Sequence, residues 1–384
     1  MPKNIAQEKR LSALVQGNSP ESRKQHALKA KEKGKKVIGL LCQYAPEEVV
    51  YAAGMHPWRV TGTWDPNLSL ASVHRDLDSC RYCTHTLEAL LRGDLKFLDG
   101  IMISDWDDDR RRLFDVWRYV NHPPYAVIYT TPKNRSEITE RYFAREISRM
   151  AAGLEELGKV KITEAKLREA IAVYNQTREL LICLYQLRKR PVPPLTGAEI
   201  LGITTACMVM DKVEFNAELT ALMPYLQQRE VDHKPDEPRI LVTSDLLDNP
   251  QFLQIIEGEG CLIAMDDLDT GSRWFHQLVD VYAKDPIAAI SRRLCWRPAD
   301  STAFNWEEQI EQMIAWVREY RIDGVIELFE EFSPPRNWRS PLVVREMARS
   351  NIPFVRIARG YDVGSVEQLR TRAGAFLEMI QVAV

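Results

Sequence analysis

The sequence predicts an α/β protein with two similar parallel-sheet domains, of the Rossmann or flavodoxin-like kind, that face each other across a cleft. Short apolar runs alternate with helical patterns in residues 37–130, and the same alternation returns after residue 238. This alternation is typical of a parallel sheet covered by helices. One apolar run in each half opens with an Asp-Gly pair, at Asp99 and at Asp323. A stretch with few helix breakers, from residue 136 to about residue 190, separates the halves and predicts a helical insert.

Length, charge and composition narrow the class of protein. The 384 residues are enough for two or three domains. The 51 Lys and Arg against 54 Asp and Glu give a net charge of -3, whereas nucleic-acid binders usually carry a basic excess. The apolar runs are too short to span a bilayer, and the N-terminus has no apolar core of a signal peptide. We therefore expect a cytoplasmic protein with no nucleic-acid or membrane partner, whose seven cysteines are thiols or ligands rather than disulfides.

Changes in pattern along the chain predict four segments. Residues 1–36 are charged and helix-prone, and form an N-terminal helical segment. The first α/β domain covers residues 37–135, and a helical region covers residues 136–235. The second α/β domain covers residues 236–384 and begins after a linker rich in Pro and charge.

Buried strands and capped helices follow one another in the first domain. Gly54 and Gly93 are suited to end helices because glycine adopts the left-handed conformation freely, and Ser79 is suited to begin one as an N-cap. The predicted strands are Val37–Cys42, Met55–Val60, Phe97–Ser104 and Tyr125–Tyr129. The predicted helices are Glu47–Ala53, Cys80–Leu91 and one that is capped by Asp107 or Asp108 and runs through Trp117.

Capped helices are predicted in the helical region, and helices that alternate with apolar strands are predicted in the second domain. Thr163 opens a long amphipathic helix, and Asn249 can cap a shorter one. The predicted helices are Leu167–Leu187, Pro250–Glu257, Trp306–Tyr320, Pro341–Ser350 and Val366–Val382, with a further helical region over Gly197–Gln228. The predicted strands are Arg239–Ser244, Gly260–Met265, Asp323–Phe329 and Ile352–Ile357.

The stretch from Asp78 to Trp117 is the candidate site, because it combines a helix, a buried strand and a second helix. Four carboxylates crowd the end of its strand, and three arginines follow at once; these residues are Asp105, Asp107, Asp108, Asp109, Arg110, Arg111 and Arg112. Active sites of parallel α/β sheets gather where strands end and helices begin. The carboxylates could bind a divalent cation, as in a metal hydrolase, or an amine, or they could simply favour the helix dipole. The arginines could pair with them or bind a phosphate-bearing substrate. Neither a GxxxxGK[ST] nor a GxGxxG motif occurs in the sequence.

Two cysteines open the same stretch. Cys80 and Cys83 lie three residues apart on one helical face, a spacing that fits either a ligand pair or two half-buried thiols. A zinc site would require a second such pair or two histidines nearby, and the sequence has neither. Cys42 lies near a strand end and could face the cleft. The other four are predicted to be packing residues: Cys183, Cys207, Cys261 and Cys295.

Several motifs resemble those of the 2-hydroxyacyl-CoA dehydratase and benzoyl-CoA reductase family. They are GLLCQYAPEEVVYAAG over Gly39–Gly54, Cys80-Arg-Tyr, Phe97–Ile101, Arg111–Trp117, Asp323-Gly-Val-Ile, Ser333-Pro-Pro and Arg370–Glu378. The resemblance covers roughly residues 37–384. The size and the helical middle resemble most the smaller substrate-binding subunit of the ATP-dependent benzoyl-CoA reductases.

The resemblance implies a cofactor and its ligand positions. In the family, an ATP-hydrolysing Fe–S activase passes low-potential electrons to a 4Fe-4S cluster that three cysteines hold between the two domains. The corresponding positions here are Cys80, Asp107 and Ser333, so the resemblance leaves a single thiolate at Cys80 to bind iron. Cys42 and Cys83 are possible substitutes for the missing ligands.

The resemblance also implies a function and partners. We expect a subunit of a benzoyl-CoA reductase-type complex, an oxidoreductase that reduces an aromatic acyl-CoA under anaerobic conditions. A larger paralogous subunit is expected to form a heterodimer with this chain and to carry the cluster. Arg110 is a candidate contact for the acyl-CoA substrate, and no catalytic residue is assigned. The alternatives are a 2-hydroxyacyl-CoA dehydratase subunit and a non-catalytic scaffold subunit.

Overall fold

The computed structural model describes residues 2–16, 18–76, 79–298, 300–330, 332–364 and 366–383. Asp78, where the candidate stretch begins, lies outside these residues. The described residues form two four-stranded sheets in which every strand pair is parallel. This architecture confirms the predicted fold class.

The two sheets have the same topology. The first contains β1 (Val37–Leu40), β2 (His56–Arg59), β3 (Gly100–Ser104) and β4 (Tyr125–Tyr129), in the order β2-β1-β3-β4. The second contains β5 (Arg239–Thr243), β6 (Leu262–Asp267), β7 (Gly324–Glu330) and β8 (Phe354–Arg359), in the order β6-β5-β7-β8. Each sheet therefore begins at an inner strand, steps to one edge and then crosses back to the other side.

Helices cover both sheets and fill the space between them. The N-terminal helices are α1 (Pro2–Gln16) and α2 (Pro20–Glu32), and those of the first unit are α3 (Glu47–Ala52), α4 (Arg81–Arg92) and α5 (Asp108–Asn121). The middle of the chain forms α6 (Glu137–Gly158), α7 (Glu164–Leu187), α8 (Gly197–Cys207) and α9 (Lys212–Leu226). The second unit contains α10 (Gln251–Glu257), α11 (Ser272–Phe275), α12 (Pro286–Trp296), α13 (Trp306–Glu319), α14 (Pro334–Arg349) and α15 (Val366–Ala383). No helix of the described residues is long and apolar enough to cross a membrane.

The Asp-Gly pairs have equivalent structural roles in the two units. The backbone of Asp99 donates a hydrogen bond to the Val37 carbonyl (2.9 Å), and its carboxylate accepts one from the Val37 N–H (2.8 Å). Asp323 makes the same two bonds with Arg239, at 2.8 and 2.7 Å. Each aspartate therefore fixes the start of one central strand against the other, which explains why the pair recurs in both halves.

Several predicted details differ from the structure. Ser79 does not cap α4, because its hydroxyl donates to the Asp76 carbonyl (2.6 Å) and Cys80 takes the N-cap position. The helix predicted from Pro341 begins at Pro334, since proline is favourable in a first turn and its ring does not interrupt the helix at the later position. The short helices α11 and α12 were not predicted. Cys183 is exposed rather than packed.

Buried polar contacts join the second unit to the N-terminal helices and to the first unit. Arg23 of α2 pairs with Asp248, which follows β5, at 2.6 Å, and both side chains are at most 2% exposed. Trp274 of α11 donates its indole N–H to Glu47 of α3 at 2.8 Å. Because an unpaired buried charge is strongly destabilising, these contacts hold the sheets in one relative arrangement. That arrangement turns the carboxyl ends of both sheets toward a common cavity.

Candidate active site

A cavity of about 340 Å³ lies between the carboxyl ends of the two sheets. The first unit contributes the start of α4 and the loop between β3 and α5, and the second contributes the ends of β5, β7 and β8 and the start of α14. The aromatic residues of the wall are Tyr82, Trp106, Phe332 and Trp338. The ionisable residues are Cys80, Asp107, Asp108, Asp109, Arg110, Asp245, Glu330, Arg336 and Arg359. Such a position, at strand ends and between two sheets, is where α/β proteins bind ligands.

The three residues that the resemblance implies as cluster-ligand positions meet in this cavity. Cys80, Asp107 and Ser333 all line it, and each is the N-cap residue of a helix, namely α4, α5 and α14. Among the described residues, three helix N-termini thus point at one space, with partial positive charge from their unpaired N–H groups. Arg110 lines the same cavity. The possible substitutes, Cys42 and Cys83, are instead buried in the apolar cores behind the wall.

Asp107 and Arg110 are joined by a capping hydrogen bond and an ion pair. One Asp107 oxygen accepts a hydrogen bond from the Arg110 backbone N–H (2.8 Å), which caps α5, and the other pairs with the Arg110 guanidinium. The guanidinium lies over the rings of Trp106 (4.9 Å) and Tyr82 (5.4 Å), where cation–π attraction is favourable. Arg110 is 7% exposed. The Asp107 carboxylate is therefore already paired with a buried cation.

Two thiols lie near this pair, Cys80 in the cavity wall and Cys42 in the apolar core behind it. The neighbouring Cys83 thiol and burial raise the pKa of the Cys80 thiol well above its ordinary value, although Arg110 opposes the shift. Burial raises the pKa of Cys42 as well. Its sulfur accepts a hydrogen bond from the Tyr44 N–H (3.4 Å). Cys42 therefore behaves as a packing residue, and the expectation that it could face the cleft is wrong.

The carboxylates of the Asp105–Asp109 cluster have separate surroundings and do not converge on one point. Asp105 accepts a hydrogen bond from the Thr131 N–H (2.9 Å), Asp109 pairs with Arg75, and Asp108 is exposed. No group of three or more His, Cys, Asp or Glu side chains within the described ranges is arranged to hold a metal ion. The divalent-metal interpretation of the cluster therefore has no support in the geometry.

The second unit supplies a charged wall that the sequence analysis missed. Ser333 donates its hydroxyl to Asp245 (3.2 Å), and Arg336 pairs with Asp245 (3.1 Å). Burial would raise the pKa of Asp245, but the neighbouring arginines hold it well below its ordinary value. Glu330 lies 3.3 Å from Arg359, and burial raises its pKa. Asp245, Glu330 and Arg359 lie at the carboxyl ends of β5, β7 and β8, where the strand-end rule directs attention.

The residues present do not fit an iron–sulfur cluster held by this chain alone. Thiolates are the usual ligands of such clusters, and Cys80 is the one thiol among the three ligand positions. Asp107 is committed to Arg110, and the hydroxyl of Ser333 is committed to Asp245. The guanidinium of Arg110 lies in the same cavity wall and balances the negative charge of Asp107.

Comparison with known proteins places the chain in a family. The model of the family described as 2-hydroxyglutaryl-CoA dehydratase, D-component, matches residues 42–380. The chain belongs to this family. It is 27% identical to a subunit of the benzoyl-CoA reductase of Thauera aromatica, over 92% of this chain and 93% of the relative. The identity is also 27% to the (R)-phenyllactyl-CoA dehydratase beta subunit of Clostridium sporogenes, over 94% and 96%. The beta subunit of the (R)-2-hydroxyglutaryl-CoA dehydratase of Acidaminococcus fermentans is again 27% identical, over 96% and 100%.

The relatives are subunits of dehydratases and of a reductase. Family membership therefore makes the chain a subunit within this enzyme class. The three identities are equal, so the comparisons by themselves do not separate a reductase from a dehydratase.

Proposed function

We propose that this chain is a cluster-free subunit of a benzoyl-CoA reductase-type complex. It pairs with a larger paralogous subunit that carries the 4Fe-4S cluster, and an ATP-hydrolysing activase supplies low-potential electrons for the reduction of an aromatic acyl-CoA. The observation that carries the proposal is the content of the cavity. All three ligand positions reach it, yet the Asp107–Arg110 pair and the Ser333–Asp245 hydrogen bond replace two thiolates.

The choice of an aromatic substrate has two supports. One is the relative named as a benzoyl-CoA reductase subunit. The other is the wall of the cavity, which presents aromatic side chains from both units, including Trp106 and Phe332. A planar acyl group packs favourably against such rings. The alternative, a 2-hydroxyacyl-CoA dehydratase subunit, has the support of the two dehydratase relatives.

A reconstituted complex tests this proposal. The chain is produced with its larger paralogue and the activase, and the complex is assayed anaerobically with benzoyl-CoA and with a 2-hydroxyacyl-CoA. We expect ATP-dependent loss of the aromatic absorbance of benzoyl-CoA, and no such loss when this chain is omitted. Dehydration of the hydroxyacyl-CoA alone would replace the proposal by its alternative. Full activity without this chain would contradict both.

A pair of phenylalanine variants separates a catalytic cavity from a scaffold. Phe332 lines the cavity, whereas Phe304 is 73% exposed and does not. If the cavity contributes to substrate binding, Phe332→Ala raises KM for the acyl-CoA several-fold in the assembled complex and Phe304→Ala leaves it unchanged. Equal behaviour of the two variants, with normal assembly, would favour a scaffold role for this chain.

A further inference from the structure

We propose that a second pocket, at the junction of the two units, binds a free α-amino acid with an apolar side chain. The pocket has a volume of about 440 Å³ and shares no lining residue with the cavity between the two sheets. A histidine nitrogen without a hydrogen-bond partner, a carboxylate and an unpaired guanidinium face it. None of these three groups belongs to the cavity on which the proposed function rests.

The pocket lies where strands of both sheets end. One side is formed by α4 and the loop that follows β2, and the other by Gly360–Asp362, which directly follow β8. The loop is held against α4, because Arg92 donates to Asp65 (2.7 Å) and Glu88 accepts a hydrogen bond from the Ala71 N–H (2.7 Å). The carboxyl ends of parallel strands are where α/β proteins bind small ligands. The pocket therefore combines a preformed wall with a favourable position in the fold.

His85 and Asp362 present two hydrogen-bond acceptors to the pocket. The ring Nδ1 of His85 lies 2.8 Å from the Thr63 carbonyl, which can only accept, so Nδ1 carries the proton. Burial lowers the pKa of His85, which keeps the ring neutral and leaves Nε2 with a free lone pair. Nε2 lies 4.0 Å from Oδ2 of Asp362, and the His85 side chain is 1% exposed. This separation is too long for a direct hydrogen bond, but one nitrogen atom at about 2.9 Å from each acceptor bridges it.

The two acceptors favour an ammonium group. Both the imidazole nitrogen of His85 and the carboxylate of Asp362 accept, so a group between them has to donate twice. An ammonium group has three N–H donors, and its positive charge strengthens the bond to the carboxylate. A hydroxyl group has one donor and leaves one acceptor unpaired. A water molecule donates twice but does not neutralise the carboxylate.

Arg81 provides the opposite charge in the same wall. It lies one turn before His85 on α4, and residues four apart share a helix face. Its guanidinium lies 5.2 Å from the centre of the Phe332 ring and has neither a hydrogen bond nor an ion pair within the residues that the structure describes. A carboxylate can pair with a guanidinium through two parallel N–H groups. The pocket thus complements a zwitterion, with Arg81 for its carboxylate and the His85–Asp362 acceptors for its ammonium group.

The rest of the wall favours an apolar side chain on the ligand. Pro66, Leu68 and Tyr361 supply apolar surface, and Ser69 and Ser72 are the other residues of the wall. Across the described ranges, no further charged side chain lines the pocket. A charged ligand side chain would therefore find no partner, whereas an apolar one gains by leaving water.

Calorimetric titration of the full-length chain tests the pocket. The probes are L-leucine, L-leucinamide, which lacks the carboxylate, and isocaproate, which lacks the ammonium group. We expect L-leucine to bind, and each analogue to bind at least about tenfold more weakly, since each loses a charged hydrogen-bonded contact. Arg81→Met should weaken the binding of L-leucine by a similar factor and leave that of L-leucinamide unchanged, because the amide has no carboxylate to lose. Asp362→Asn should weaken L-leucine and leave isocaproate unchanged.

The matched control is Arg112→Met, at an exposed arginine that does not line the pocket. It should leave the affinity for L-leucine unchanged. Arg81 and Asp362 are both partly exposed, so their variants are expected to fold, and circular dichroism checks this. The absence of L-leucine binding at millimolar concentration would overturn the inference. Equal affinities for the three probes, or equal effects of Arg81→Met and Arg112→Met, would overturn it as well.

Discussion

Replacement of Arg273 by Met is expected to destabilise the protein by roughly 3–5 kcal/mol, which is a large part of the stability of a typical protein. The Arg273 side chain is 0% exposed and pairs with Asp267 (2.7 Å) and Asp269 (2.6 Å). It also donates to the Ser244 carbonyl (2.5 Å) at the end of β5. Methionine fills much of the volume but leaves two buried carboxylates without their cation. Chemical denaturation measures the loss.

The destabilisation caused by Arg273→Met should be smaller at acidic pH. Burial would raise the pKa of Asp267, and Arg273 holds it below its ordinary value. Burial raises the pKa of Asp269 to about 6 despite the same cation. Without Arg273 both pKa values rise, so the folded variant binds protons that the unfolded chain releases, and its stability falls as pH increases from about 4 to 8.

Arg292→Met, at a side chain that is 66% exposed, should change stability by less than about 0.5 kcal/mol. An Arg273 variant as stable as the Arg292 variant would contradict the prediction.

Replacement of Arg110 by Met is expected to destabilise the protein by about 3 kcal/mol, because it removes a buried ion pair and two cation–π contacts together. Asp107, which this substitution leaves without its cation, is more accessible to water than the carboxylates beside Arg273. Asp107 still caps α5, and its side chain is 19% exposed, so water can reach it. The loss should therefore be smaller than for Arg273. Denaturant unfolding of the purified chain measures it.

A double-mutant cycle isolates the pair from the rest of the cavity. Arg110→Met, Asp107→Asn and the combined variant should give a coupling energy of about 1–3 kcal/mol. Arg112→Met on the same helix is the matched control, since Arg112 is 67% exposed and lies 3.5 Å from Asp108. It should be close to neutral. Additive effects of the Arg110 and Asp107 variants would mean that the two side chains do not form the pair that replaces a cluster ligand.

The sequence was sufficient for the architecture because strands of parallel sheets leave a local signal. Tyr125–Tyr129 was predicted with the observed bounds, since two prolines precede it and its apolar run is uninterrupted. The recurrence of Asp99-Gly and Asp323-Gly correctly indicated two units of the same topology, because each pair makes the same backbone bonds. A boundary failed where a local contact competed with capping, as at Ser79, whose hydroxyl donates to the carbonyl three residues earlier.

The sequence predicted the cavity wall that the first unit contributes but not the wall that the second unit contributes. The cavity wall from the first unit lies in one continuous stretch, so Asp107 and Arg110 could be found by spacing alone. The opposite wall comes from the ends of three strands far apart in sequence, and Asp245, Glu330 and Arg359 meet only in the folded chain. The pairing of Asp107 with Arg110, rather than with a metal, likewise depends on burial against Trp106.

Iron and acid-labile sulfide in the isolated chain distinguish a cluster-free cavity from a cluster site. The chain is reconstituted anaerobically with iron and sulfide, desalted, and compared with Cys80→Ser treated in the same way. We predict that both proteins hold the same negligible iron and lack the broad visible absorbance of a thiolate-bound cluster, while the complex with the larger paralogue holds both. Stoichiometric cluster iron in the isolated chain, lost on Cys80→Ser, would contradict the cluster-free interpretation.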